Sequence, residues 1–138
     1  MLPEALLDTD ILLDIMKGRD PELVRRAGEY LKDYPSFTIS IITRYEVLRG
    51  LKVRAAVQQL LMFEEWCQSN MVLGLTDDII VRASEIYGDL HRVGRLISDA
   101  DILIAATALA HGLELITANG EHFQRIAGLQ MENWRTAT

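Results

Sequence analysis

The residues of this chain best able to do chemistry are acids, and they fall in four short stretches. "LLDTDILLD" (6–14) sets Asp8, Asp10 and Asp14 among apolar residues, and "SIITRYEVLRG" (40–50) carries Glu46. "DADILIAATALAHG" (99–112) opens on Asp99 and Asp101, and "LITANGEHF" (115–123) holds Thr117 and Asn119. Two carboxylates about 4 Å apart repel by roughly 4 kcal/mol at an effective dielectric of about 20. Clustered acids must therefore be dispersed, protonated or neutralised by a cation. With one cysteine and no histidine pair at helical spacing, a metal here would be held by oxygen. That donor set suits Mg²⁺, with Mn²⁺ as a substitute, rather than zinc. Such a cation lowers the pKa of a bound water and stabilises charge on phosphoryl oxygens, which is the equipment of phosphodiester hydrolysis.

Simpler roles compete for several of these residues. Asp10 reads as the N-cap of the helix that follows it. Asp77 and Asp78 read as first-turn acids complementing a helix dipole. Asp99 reads equally as a cap or as a supporting acid, and Cys67 as a packed thiol. His91, His111 and His122 have no partner spacing and are not expected to take part in chemistry.

Something must carry the acids to one place. Candidate strands are Ala5–Asp8, Ser36–Ile39, Met71–Leu75, Leu113–Thr117 and Leu129–Glu132, each short, apolar and bounded by turn residues. Helical patterns lie between them. Pro21–Asp33 is capped by Asp20, and Ser40 caps a helix ended by Gly50. A further helix spans about Arg54 to Gln68, Thr76 caps the next, and Ser98 or Asp99 opens one that stops at Gly112. Strands separated by helices predict an α/β fold: a central, mostly parallel sheet of about five short strands with helices on both faces. Ligands bind such sheets beyond the carboxyl ends of the strands. Asp8, Ser40, Thr117 and Asn119 all stand at such ends.

The chain reads as one domain, 1–138, with no repeat, linker or low-complexity segment. No apolar run approaches the roughly 20 residues of a membrane span, and no secretory signal is visible, so a cytoplasmic protein is expected. A net charge of −6 argues against tight non-specific binding to nucleic acid. The basic groups Arg44, Arg49, Lys52 and Arg54, and Arg92 with Arg95, read as solvated helix faces.

Taken together, "LLDTDILLD", "SIITRYEVLRG", "ISDADILIAATALAHGLELITANGEHF" and "GLQMENW" resemble the four signature regions of PIN-domain ribonucleases, especially the VapC-type toxins of toxin–antitoxin pairs. The resemblance runs from about Leu6 to Trp134. It implies a PIN-like fold and a Mg²⁺-dependent endoribonuclease with an RNA substrate, a cognate antitoxin and a homodimeric state. By residue, it implies that Asp8, Glu46 and Asp101 are the catalytic and metal-binding acids, supported by Asp99, Asn119, Thr9 and Thr117. Asp10 departs from the asparagine more common at that place and makes the site more acidic. The helix from about Arg54 to Gln68, with Val57, Leu60, Leu61, Met62, Phe63 and Trp66, has more apolar surface than one face needs. It is expected to form part of a dimer or antitoxin groove.

Two alternatives stand beside this reading. The Asp8-x-Asp10 opening also resembles haloacid-dehalogenase-like phosphatases, with Asp8 as nucleophile and Asp10 as acid/base. That reading lacks a late acidic pair, and no lysine follows Lys52. A catalytically silent PIN-like binding protein is the other, although its expected mark, loss of the acids, is missing.

Overall fold

Short apolar segments bounded by turn and capping residues form the strands β1 (Ala5–Leu7), β2 (Thr38–Ser40), β3 (Met71–Leu73), β4 (Glu114–Ile116) and β5 (Met131–Glu132). Between them run α1 (Thr9–Lys17), α2 (Pro21–Asp33), α3 (Ile41–Val53), α4 (Val57–Ser69), α5 (Asp77–Arg92), α6 (Asp99–His111) and the single turn α7 (Gly120–Phe123). This computed structural model describes residues 1–135, so the last three residues of the expected 1–138 span lie outside the described residues.

Every strand pair is parallel. β1 pairs with β4 in the register Leu6↔Leu115, β4 pairs with β5, and β2 pairs with β3. The hydrogen bonds form two ladders, β1–β4–β5 and β2–β3, which meet where β1 lies beside β2. Alternation along the strands feeds two cores. Ala5, Leu7 and Ile116 pack with Leu23, Tyr30, Val47 and Phe63 from the α2–α4 side. Leu6 and Leu115 point the other way, to Ile79, Leu90, Ile104 and Phe123 of α5–α7. Strands buried on both faces need apolar residues throughout, which explains their unbroken hydrophobic character. The expected α/β architecture, with helices on both faces, is what the chain adopts.

Several helix starts follow local chemistry as expected. Asp20 accepts from the Glu22 and Leu23 amides ahead of Pro21, Thr76 accepts from Ile79, and Ser98 accepts from Asp101. Ser98 is thus the cap of α6, and Asp99 is its first residue. Gly112 ends α6 in the left-handed conformation, at φ 65°.

Three expectations need correction. Asp10 does not cap α1; Asp8 does, its side chain accepting from the Thr9 amide, and Asp10 lies in the first turn. Strand β1 is simply shorter than expected, so its last apolar residue is followed at once by the cap. Gly50 does not end α3, which runs on to Val53. Buried Val47 and Leu51 on either side hold that turn down, which offsets the roughly 1 kcal/mol helix penalty of glycine. The chain turns instead at Ala55, whose φ of 51° is left-handed, so α4 starts at Val57 rather than Arg54.

Helix α4 has two apolar faces, as its sequence suggested. Phe63 is buried and Leu60 and Trp66 pack against the core, whereas Val57, Leu61 and Met62 are each more than 60% exposed. No helix among the described residues is long and apolar enough to cross a membrane.

Candidate active site

Because all strands run in one direction, their carboxyl ends share one edge, and Asp8 follows the end of β1 there. Its backbone stays in the ladder, with the Asp8 amide donating to the Ile116 carbonyl at 2.8 Å. Its carboxylate is fixed at both oxygens. The Thr9 amide donates to Oδ1 at 2.8 Å, and the Thr117 hydroxyl donates to Oδ2 at 2.8 Å. Thr117 is oriented in turn by the Asn119 amide, which donates to its Oγ1 at 2.9 Å. Together these bonds hold the carboxylate in one orientation.

Asp8 is only 5% exposed. Burial pushes its carboxyl up from 3.8 to about 6, against the lowering effect of the Thr117 and Thr9 hydrogen bonds, and the negative charges of Asp101 and Asp10 add to the rise. The physical cause is loss of hydration around a charge, only partly repaired by two donors. The same influence acts on Asp101. It is half-buried and raised chiefly by burial, with His122 and the Ser98 hydroxyl opposing and Asp10 reinforcing the rise. His122 Nδ1 stands 3.7 Å from Asp101 Oδ2.

Glu46 reaches the same region through hydroxyls. Thr9 Oγ1 lies 2.7 Å from Glu46 Oε1 and 3.0 Å from Thr43 Oγ1. A hydroxyl has one proton, and an ionised carboxylate can only accept. Thr9 therefore donates to Glu46, and the fully buried Thr43 hydroxyl donates to Thr9. Thr9 consequently links two acids, giving its amide to Asp8 and its hydroxyl to Glu46. Ser40 caps α3 through the Ile42 amide at 3.0 Å, which sets where the helix bearing Thr43 and Glu46 begins.

The structure thus joins Asp8 with Thr9 and Thr117, joins Thr9 with Glu46, and brings Asp101 and Asp10 close enough to Asp8 to feel its charge. Asn119 contributes its amide, while its side chain makes no cap to α7. Asp99 is exposed at the head of α6 and is not joined to these residues. Among the described residues, no three His, Cys, Asp or Glu side chains converge tightly enough to hold a metal ion as they stand. Two participants, Thr43 and His122, were missed in the sequence. Thr43 stands three residues before Glu46, one helical turn away, a spacing that could have revealed it. Asp10 was expected both to cap α1 and to make the site more acidic, and only the second role holds. His122 gave no spacing signal, because its relation to Asp101 is purely tertiary.

This parallel α/β layering with an acidic edge defines a class of protein. The PIN domain family matches residues 5–129, and the chain belongs to that family. Among its relatives, it is 36% identical over 123 residues to Ribonuclease VapC1 of Methanocaldococcus jannaschii, covering 89% of this chain and 81% of the relative. It is 28% identical over 130 residues to the tRNA(fMet)-specific endonuclease VapC of Shigella flexneri, covering 94% and 96% of the two chains. Among solved structures it resembles DNA-bound VapBC from Salmonella typhimurium, with a TM-score of 0.84 at 26% identity and coverage of 96% and 99%.

Proposed function

We propose that this chain is a metal-dependent endoribonuclease acting as the toxin of a type II toxin–antitoxin pair. The observation that supports it most is Asp8: a carboxylate at the sheet's carboxyl edge, stripped of water, gripped by two donors and facing two further acids. A buried acid with a raised pKa and like-charged neighbours is a costly arrangement, and bound positive charge would relieve it.

By its chemistry, all oxygen, the donor set suits a hard divalent cation, around which the three acids would have to draw together. Asp8, Asp101 and Glu46 would hold Mg²⁺, or Mn²⁺ in its place, through oxygen alone. When bound, the cation lowers the pKa of a water and offsets charge on the phosphoryl oxygens of the RNA. The chain's own contribution is positioning. Thr117 and the Thr9 amide fix Asp8, the Thr43–Thr9 hydroxyl relay fixes Glu46, and Ser98 fixes the first turn of α6 from which Asp101 projects. Asp10 adds negative charge, and Asp99 caps nothing and plays a supporting part at most.

The likeness to the VapBC structure supports an antitoxin as partner, and a homodimer and a cytoplasmic location belong to the same reading. The exposed face of α4, with Val57, Leu61 and Met62, is a surface a helical partner would cover. Cleavage of single-stranded RNA is expected to need Mg²⁺ or Mn²⁺ and to stop in EDTA. Full cleavage in chelator would remove the metal from this account, and failure to cleave any RNA with metal present would favour a silent binding protein.

A further inference from the structure

The reaction proposed above has an electrostatic difficulty. RNA is a polyanion, the chain carries a net charge of −6, and the site itself is built of acids. Some group at its rim must meet the phosphates. Several arginines are already committed to carboxylates. Arg44 pairs with Glu64 at 2.7 Å, Arg25 and Arg26 share Glu22, and Arg92 pairs with Asp89 at 2.9 Å.

Arg49 is different. Its side chain is 57% exposed, and it lies one turn beyond Glu46, with Nη2 3.7 Å from Glu46 Oε2. At that separation the pair is loose, and among the described residues the guanidinium makes no hydrogen bond. Its planar fork lies against an aromatic ring, with the guanidinium carbon 5.2 Å from the centre of the Tyr45 ring. Tyr45 is itself 58% exposed, and Ile41, one turn earlier, is at 36%. These three residues follow i, i+4, i+8 spacing, so they form one stripe along α3. The stripe begins where β2 ends and passes beside Glu46, while Thr43, Val47 and Leu51 of the same helix face inward.

A cation stacked on an exposed aromatic ring is the chemistry that meets single-stranded nucleic acid. The guanidinium fork suits a phosphate, and the tyrosine–guanidinium stack offers a flat surface to an unstacked base. Solvated arginines do not usually come with a large exposed aromatic beside a candidate catalytic acid.

We propose that Tyr45 and Arg49 form the landing site for the RNA strand, with Arg49 contacting a phosphate next to the cleaved bond and Tyr45 supporting the adjoining base. This rests on the ribonuclease reading and adds to it the residues that seat the substrate. The test uses the full chain with Mg²⁺, labelled single-stranded RNA of mixed sequence, and the variants Arg49→Met, Arg49→Lys and Tyr45→Ala. Cleavage kinetics give KM and kcat. Fluorescence anisotropy on an Asp101→Asn background gives binding without turnover.

Losing the stacking surface in Tyr45→Ala should raise KM by about 5- to 100-fold with little change in kcat. Arg49→Met should also raise KM, and should lower the slope of log affinity against log salt by about 0.7, the share of one phosphate contact on a single strand. Arg49→Lys should keep that slope while losing part of the affinity, a pattern that a merely structural arginine would not give. Melting temperatures near wild type would show that the variants fold. If the wild type cleaves RNA and all three variants keep its KM and salt slope, the landing site is refuted and the ribonuclease reading survives. If the variants lose dimerisation in light scattering but bind RNA normally, the stripe is a protein contact and the proposal falls. If the wild type neither binds nor cleaves RNA, the ribonuclease reading falls and takes this inference with it.

Discussion

Replacing Asp8 by asparagine should kill the proposed activity and make the metal-free protein more stable. In the folded state the Asp8 carboxyl lies at about 6, against 3.8 for the free side chain. That displacement corresponds to about 3 kcal/mol, and with the residue 5% exposed little of it is lost to solvent screening. The sign follows from proton binding. The folded state holds the Asp8 proton more tightly than the unfolded state does, so this group lowers stability as pH rises from about 4 to 6. Its cost is complete above that. Asparagine removes the charge and still accepts from the Thr9 amide, but its amide must donate to Thr117, leaving the Thr117 proton without its acceptor. That loss costs about 1 kcal/mol, for a net gain of about 2 kcal/mol at pH 7. For a domain of this size the melting temperature should rise by about 5–8 °C. Thermal scans of both proteins in EDTA from pH 4 to pH 8 measure it, and the gap should close towards pH 4. In Mn²⁺ at about ten times its dissociation constant, the wild type should recover about 1.4 kcal/mol and the variant almost none. A natively folded Asp8→Asn protein melting at or below wild type at pH 7, or a gap that ignores pH, would refute the account of a desolvated charge.

Asp101→Asn should abolish RNA cleavage and weaken Mn²⁺ binding without lowering the melting temperature, since burial already disfavours its charge. Asp99→Asn should retain measurable cleavage, because Asp99 is exposed and the two residues stand about 200° apart around α6; the opposite ranking would reverse their assignment. Thr43→Val, which keeps shape but removes the relay donor to Thr9, should lower kcat by about 5-fold at similar KM, for the loss of a hydrogen bond of about 1 kcal/mol. Thr43→Ser should restore kcat, and equal activity in the valine and serine variants would show that the relay does not position Glu46.

What could be read from the sequence was whatever rests on short-range pattern. Apolar triplets, Asp20-Pro21, Thr76, Ser98 and Gly112 each mark a boundary through local chemistry, and alternation between them implied the parallel layering. Asp8 and Thr117 stood out because each follows a strand on one edge. The failures have tertiary causes. Whether Asp8 or Asp10 caps α1 depends on which residue leaves the ladder, and that is set by pairing of β1 with a strand more than a hundred residues away. Gly50 looked like a helix end because propensity is local, whereas the burial of Val47 and Leu51 is not. His122 meets Asp101 only after α6, β4 and α7 have packed. The Thr43–Thr9–Glu46 relay joins two helices that follow different strands.

The hydrogen bond between Thr117 and Asp8 spans 109 positions of sequence. Local helices can form as the polypeptide leaves the ribosome, but β1 has no neighbour of its own ladder until β4 has been made. A nascent chain therefore exposes Asp8 and Glu46, until β4 emerges, without the partner that orients the first of them. Contacts of such long range also form late in refolding, because loop closure comes before any reward from pairing. For an enzyme that cuts RNA, this order of events acts as a time lock: the blade is set only after β4 and Thr117 have cleared the machinery that makes them.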